Sequence, residues 1–211
     1  MLLTTLQTHE LNQPGTYQDV KDTTVVAQFK TKPNDKLPEG AYILAWTTTP
    51  WTLPSNTALT VGPKIDYVVV RTYNQYTHQE MHVVLAKALM GKQLSGKYVA
   101  ADEDHPMDGY SAESKKIPYE VVGEHVGSDL VGIEYEQLLP YAQPYYDADK
   151  AFKVIPGDFV TTEDGTGIVH TAPTFGADDA LVAKDAGVPP LLVLDENENP
   201  VPLVDLQGRF R

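Results

Sequence analysis

Two stretches of the 211-residue chain concentrate side chains able to act on a small polar molecule. The first, residues 46–59, reads Trp46-Thr47-Thr48-Thr49-Pro50-Trp51-Thr52-Leu53-Pro54-Ser55-Asn56-Thr57-Ala58-Leu59. Three threonines leave the end of a strongly β-type segment, and Pro50 stops it. A strand that breaks into a loop exposes backbone N–H and C=O groups beside hydroxyls, a setting that can hold a small ligand and orient a water. The second, residues 163–180, carries the turn Gly165-Thr166-Gly167, then a short strand ending in His170. A Pro/Gly loop follows, and then Asp178 and Asp179 where a helix begins. His170 and Asp179 flank one loop, so they can face a common pocket, and a carboxylate there can bind an ammonium group.

Each stretch also has a purely structural reading. The threonines suit an edge strand, and Asn56 is an ordinary N-cap for a short helix over residues 57–59. Asp178 suits the N-cap of the second helix, Asp179 suits the positive end of its dipole, and His170 suits a hydrogen-bonded core position. Residue types alone leave both readings open.

Other chemistries are excluded more firmly. The chain has no cysteine, which removes disulfides, thiolate metal sites and a cysteine nucleophile. It has no Gly-x-Ser-x-Gly elbow and no metal-binding spacing among its histidines. His9, His78, His82, His105 and His125 are scattered and read as surface or structural, so no metal is expected. The Gly-Thr-Gly turn lacks the Lys-Ser or Lys-Thr of a phosphate loop. A net charge of −13 opposes broad electrostatic capture of nucleic acid. With neither a signal-type N-terminus nor a long apolar run, the sequence predicts a soluble, cytoplasmic protein.

The elements that must position these residues are mostly strands. Residues 24–29, 41–46, 67–72, 81–85, 119–122, 152–155 and 167–170 are rich in β-branched or aromatic types. Helix is predicted over 85–94 and over 177–186, where Gly187 and Pro189 supply the stop. Many short strands with Gly/Pro turns predict a mainly β fold with a few helices (α+β), built on a β-barrel-like core. Residues 1–211 read as a single domain, with 130–146 as an irregular arm outside the core. Both ends look like cut points in a longer chain.

Taken together, residues 46–59 and 165–179 resemble the two signature regions of the editing domain inserted in isoleucyl-tRNA synthetases, members of the class I aminoacyl-tRNA synthetases. Their order and separation fit that family. Thr49-Pro50-Trp51-Thr52 follows the isoleucyl pattern, where valyl and leucyl relatives carry an arginine. Residues 8–29, with His9-Glu10 and Tyr17-Gln18-Asp19-Val20, resemble the family's approach to the domain. The resemblance is weakest over 93–150. The synthetase signatures His-x-Gly-His and Lys-Met-Ser-Lys-Ser are absent, so ligation of isoleucine with ATP and Mg is expected of a parent enzyme and not of this chain.

The resemblance implies a proofreading hydrolase acting on the 3′ end of valyl-tRNA(Ile), and on valyl-adenylate, with water as nucleophile and no cofactor of its own. Isoleucine would be excluded by size. The domain would be monomeric and work beside the remainder of the synthetase. Thr48, Thr49 and Asp179 would be catalytic, the threonines by placing water and Asp179 by holding the α-ammonium. Trp46 and Thr47 would line the pocket, Asn56 would bond the adenosine end or the ester region, and His170 would wall the side-chain pocket. Two other readings compete: a freestanding trans-editing deacylase with the same site, and a catalytically silent β-domain that binds RNA or protein.

Overall fold

The computed structural model describes residues 24–210. The His9-Glu10 and Tyr17–Val20 matches lie outside the described residues. Among the described residues eleven strands form: β1 (Val25–Lys30), β2 (Tyr42–Thr47), β3 (Ala58–Val61), β4 (Asp66–Tyr73), β5 (Glu80–Ala86), β6 (Tyr98–Ala100), β7 (Ile117–Val126), β8 (Lys153–Pro156), β9 (Ile168–Thr171), β10 (Leu192–Leu194) and β11 (Pro200–Pro202). Helices are short: α1 (Met90–Gln93), α2 (Gly127–Leu130) and α3 (Ala177–Asp185). Among the described residues no helix is long and apolar enough to cross a membrane.

The first nine strands make one mixed sheet in the order β6-β7-β4-β5-β2-β9-β3-β8, with β1 on β2, while β10 and β11 pair separately. The fold is mainly β with a few helices, as the composition predicts. It is not a closed barrel, because the two end strands of that path, β6 and β8, are not paired with each other.

Strand β2 forks the sheet. One of its edges runs antiparallel to β1 throughout. Its other edge changes partner: Tyr42 and Ile43 pair with Val83 and Val84 of β5, while Trp46 pairs with Val169 of β9. The gap where β5 and β9 part would strand backbone groups in the core, and the Gly165-Thr166-Gly167 turn fills it. Thr166 Oγ1 donates to Leu44 O at 2.7 Å, and Ala86 N donates to Thr166 O at 2.8 Å. Gly167 has φ +72°, and a Cβ there would sit 2.4 Å from the Ala86 Cβ, so only glycine fits.

Alternation along β2 sends Ile43 and Ala45 to the main core, with Phe29, Leu59, Tyr67 and Tyr135. Leu44 points the other way, to a second cluster with Val68, Val70, Val83 and Leu85.

Three expectations change. Residues 85–86 belong to β5, not to a helix, because they pair with Tyr67 and Val68 of β4 and are fully buried. Helix propensity yields at 85–86 to tertiary pairing, and the rest of the expected helix forms as a 3-10 turn, Lys87–Leu89, that runs into α1. Asn56 opens no helix: Ala58 begins β3, which is buried along its whole length between β9 and β8. Residues 130–146 begin at the last residue of α2 and pair through single bridges at Glu134 and Tyr135, so their first part is core and not arm: Leu130, Ile133 and Tyr135 are buried in the main cluster.

Candidate functional site

Where β2 ends, the chain tightens into a 3-10 helix, Pro50–Ser55. Proline suits its first turn because the missing N–H would have no partner there. This coil turns the threonines back beside β9. On the far side, β9 ends at Thr171 and a loop leads to α3. Between them lies a cavity of about 450 Å³. Trp46, Thr47, Thr48, Thr49, His170 and Asp179, all expected from the sequence, line it. So do Trp51, Thr52, Phe175 and Leu206, which sequence reasoning did not assign to it.

The wall from β2 and β9 is wired internally. Thr47 Oγ1 accepts from Thr49 N at 3.0 Å and lies 3.2 Å from Thr49 Oγ1. Thr49 Oγ1 is 3.3 Å from Thr52 Oγ1, which donates to Thr49 O at 2.8 Å. Thr48 lines the pocket outside this chain of bonds. Trp46 is set by Gly165, where φ is +75° and a Cβ would press within 3.0 Å of the indole.

His170 is 7% exposed and meets the threonines through Nε2, 3.0 Å from Thr52 Oγ1. Its Nδ1 faces Asn56 Nδ2 at 2.9 Å. An amide nitrogen can only donate, so Nδ1 accepts and Nε2 carries the proton toward Thr52. Burial pushes the imidazole down to about 4, so it is neutral near neutral pH.

Asn56 differs from its expected role. It is buried and does not line the cavity. Its amide donates to Ala58 O at 2.8 Å as well as to His170, and its oxygen accepts from Tyr135 Oη at 2.6 Å. With those bonds made behind His170, it does not reach an adenosine or an ester in the pocket. Thr52 stands in the same threonine stretch and was legible as a hydroxyl. Tyr135 had no local signal.

The opposite wall is built differently. Asp179 lies in the first turn of α3, and its Oδ2 accepts from Ala172 N at 2.9 Å. Burial raises its carboxyl above the usual range, opposed by the Ala172 bond, with Asp178 adding a smaller push upward. A half-buried carboxylate held by one backbone N–H has lone pairs left to accept a charge-assisted hydrogen bond. Asp178 is not the N-cap: that position is Gly176, in extended backbone with no side-chain cap, and Asp178 is an exposed first-turn residue.

The described hydroxyls of the pocket include no threonine activated by the neighbouring imidazole. Thr52 is the hydroxyl next to an imidazole, but that imidazole nitrogen already bears its proton and cannot take another from Thr52.

No family model matches the chain. It is 58% identical over 207 residues to the isoleucine–tRNA ligase of Cytophaga hutchinsonii and 59% identical over 212 residues to that of Bacteroides fragilis. Against the isoleucine–tRNA ligase of Clostridium tetani it is 41% identical over 207 residues. Each alignment takes in 98% of this chain, but the chain spans only 16–18% of the length of these relatives. Among solved structures, the P. knowlesi cytosolic leucyl-tRNA synthetase editing domain superposes with a TM-score of 0.54 at 16% identity, covering 78% of this chain and 63% of that one. GlLeuRS-CP1 superposes with a TM-score of 0.52 at 18% identity, covering 86% of this chain and 70% of that one. At such identities the structural matches speak for the fold.

Proposed function

The chain belongs to the isoleucine–tRNA ligase family, as a segment with the fold of an editing domain, and on that premise we propose that its pocket hydrolyses the ester of valyl-tRNA(Ile). The observation that carries this reading is one cavity with a carboxylate on one wall and a neutral, fixed histidine on the other. The aminoacyl group of the substrate has matching parts. Its α-ammonium goes to Asp179, and its side chain goes toward His170.

A second site is needed for a simple reason. One methylene in an apolar pocket is worth only about 1–3 kcal/mol, a limit best known from this enzyme family itself. A synthetic site that accepts isoleucine admits some valine, so the hydrolytic pocket must exclude the larger side chain by its wall. His170 suits that task because its ring is held at both nitrogens. A loosely held side chain would yield to the extra methylene.

Water is the nucleophile in this reading. Thr48 and Thr49, at the strand end, orient it against the ester carbonyl, with Thr47 and Trp46 closing the pocket beside them. Asp179 bound to an ammonium stays ionised, which suits it to binding and not to proton transfer. His170 is a poor base for the same task, since its acceptor nitrogen faces Asn56 and not the cavity. Valyl-adenylate presents the same ammonium and side chain, so the same walls suit its aminoacyl half.

The test is deacylation by the chain itself. Valyl- and isoleucyl-tRNA(Ile) are incubated separately with the protein in excess, and release of each amino acid is followed. Valine should be released at least about tenfold faster, the lower end of what a methylene-sized clash imposes. Equal rates would remove the size-exclusion reading. No release of either would favour a silent binding domain.

A further inference from the structure

We propose that Tyr135 is a positioning residue for this site: together with Ala58 O, its hydroxyl orients the Asn56 amide that sets which nitrogen of His170 carries the proton, and so holds the wall that measures the substrate side chain. The inference rests on the reading of the pocket given above, but it concerns a residue that does not line that pocket.

The argument follows the hydrogen atoms. Ala58 O can only accept, so the Asn56 atom 2.8 Å from it is the NH2 group. The same NH2 group meets His170 Nδ1 at 2.9 Å. That leaves the buried Asn56 oxygen facing Tyr135 Oη at 2.6 Å. Tyr135 is fully buried, and burial holds its hydroxyl well above the usual range, so it keeps its proton and donates. The sequence of donors is then single-valued: Tyr135 to Asn56, Asn56 to His170, His170 to Thr52, Thr52 to Thr49 O.

The tyrosine is itself held firmly. Its ring stacks edge-on to Phe29 at 5.3 Å and to Phe152 at 6.2 Å. Its backbone N donates to Phe152 O at 3.0 Å, and Phe152 N donates to Thr57 O at 2.7 Å, next to Asn56. The Tyr135 hydroxyl is thus a fixed point that reaches the substrate wall through two side chains.

Removing only that hydroxyl leaves the Asn56 oxygen without a partner in the core. An orphaned buried carbonyl favours rearrangement. Turning the amide oxygen toward His170 also breaks the bond to Ala58 O; with the Tyr135 bond gone, only the Ala58 and His170 bonds oppose that turn, and in the turned form His170 donates from Nδ1 and presents a bare Nε2 to Thr52. Thr52 would reverse its own hydroxyl and release Thr49 O. The threonine row would lose its fixed polarity, and the imidazole wall would lose its rigidity.

The experiment uses the chain labelled with 15N-histidine, and the His170 signals are identified by their loss in His170→Gln. The ring nitrogens report the tautomer directly. In the unmodified protein His170 should be in the Nε2–H form at neutral pH. In Tyr135→Phe the signals should move toward the Nδ1–H form, and the valyl-to-isoleucyl deacylation ratio should fall about tenfold, the scale of one lost bond in a buried network. A merely structural tyrosine would lower the melting temperature and leave both readouts unchanged, which would overturn the proposal. So would an Nδ1–H form in the unmodified protein. If Tyr135→Phe does not fold, Asn56→Ala decides: a pure Nε2–H signal with an unchanged ratio would sink the relay, and a mixed signal with a lower ratio would support it. Because the tautomer is read without substrate, failure of the relay is separable from failure of the proofreading reading, which shows as absent valine release in the unmodified protein.

Discussion

The two walls of the pocket solve opposite problems. On the β2 and β9 side, His170, Thr52, Asn56 and Tyr135 satisfy one another, and the imidazole is neutral. On the α3 side, Asp179 has one backbone N–H donor and a carboxyl raised by burial. The first wall is built for shape and is content without ligand. The second carries a charge that its surroundings do not fully support, and that is the state in which a carboxylate gains most from an arriving cation. Stability and binding are thus divided between walls that face each other across one cavity.

The largest effect that would test this contrast is at Asp179. Asp179→Asn keeps an acceptor for Ala172 N and removes the charge. Losing one partner of a buried ion pair costs about 3–5 kcal/mol, so valyl-tRNA deacylation should fall about 10²–10⁴-fold. Thermal unfolding at neutral pH should be unchanged or slightly improved. The sign follows from linkage: a carboxyl raised in the fold contributes stability at low pH and loses it as pH rises through its folded value. A variant that keeps its activity, or loses it only in step with stability, would make Asp179 structural.

The next effect concerns the other wall and has the opposite sign with pH. His170 titrates at about 4 in the fold against 6.5 ordinarily. A buried neutral base contributes stability above its ordinary value, and that contribution is lost as pH falls from 6.5 toward 4. The loss should be on the order of 3 kcal/mol. Urea midpoints of the unmodified protein and His170→Gln, compared at pH 7 and pH 4.5, should converge at the lower pH. Parallel acid slopes would show that the imidazole is not desolvated as the fold implies.

The smallest effect sharpens the assignment of the aspartates. Asp178 is exposed and caps nothing, so Asp178→Ala should cost only about 0.3–1 kcal/mol through the helix dipole and leave deacylation near normal. A large activity loss at Asp178 with normal unfolding would shift the ammonium receptor by one residue.

Much of this was legible in the sequence, for identifiable reasons. The long β-branched runs that became β4 and β5 announce themselves because a half-buried strand selects those types. The threonine stretch and the His170–Asp179 loop stand out because their polar residues cluster where strands end. β3 escaped notice because a four-residue strand buried on every side has no alternation to read, and the preceding Asn56 imitates a helix start. The resemblance singles out Asp179 from Asp178, but the residue types do not, and the physical difference between them is the loop that brings Ala172 N to Asp179. Tyr135 is one of 12 tyrosines in a stretch without periodicity, and its role comes from a contact 79 residues away along the chain.

The fork in β2 has a consequence for how the chain is made. Thr166 reaches Leu44 across 122 residues, and His170 reaches Thr52 across 118. A ribosome therefore releases the threonine wall long before the strand and loop that face it, and such distant pairings form slowly. Until β9 arrives, the Trp46 half of β2 offers an open edge, the feature by which chains pair wrongly with one another. The nascent segment passes through a period of greatest exposure to aggregation with its pocket still unformed, and the arrival of residues 165–179 closes the open edge and brings the facing wall together.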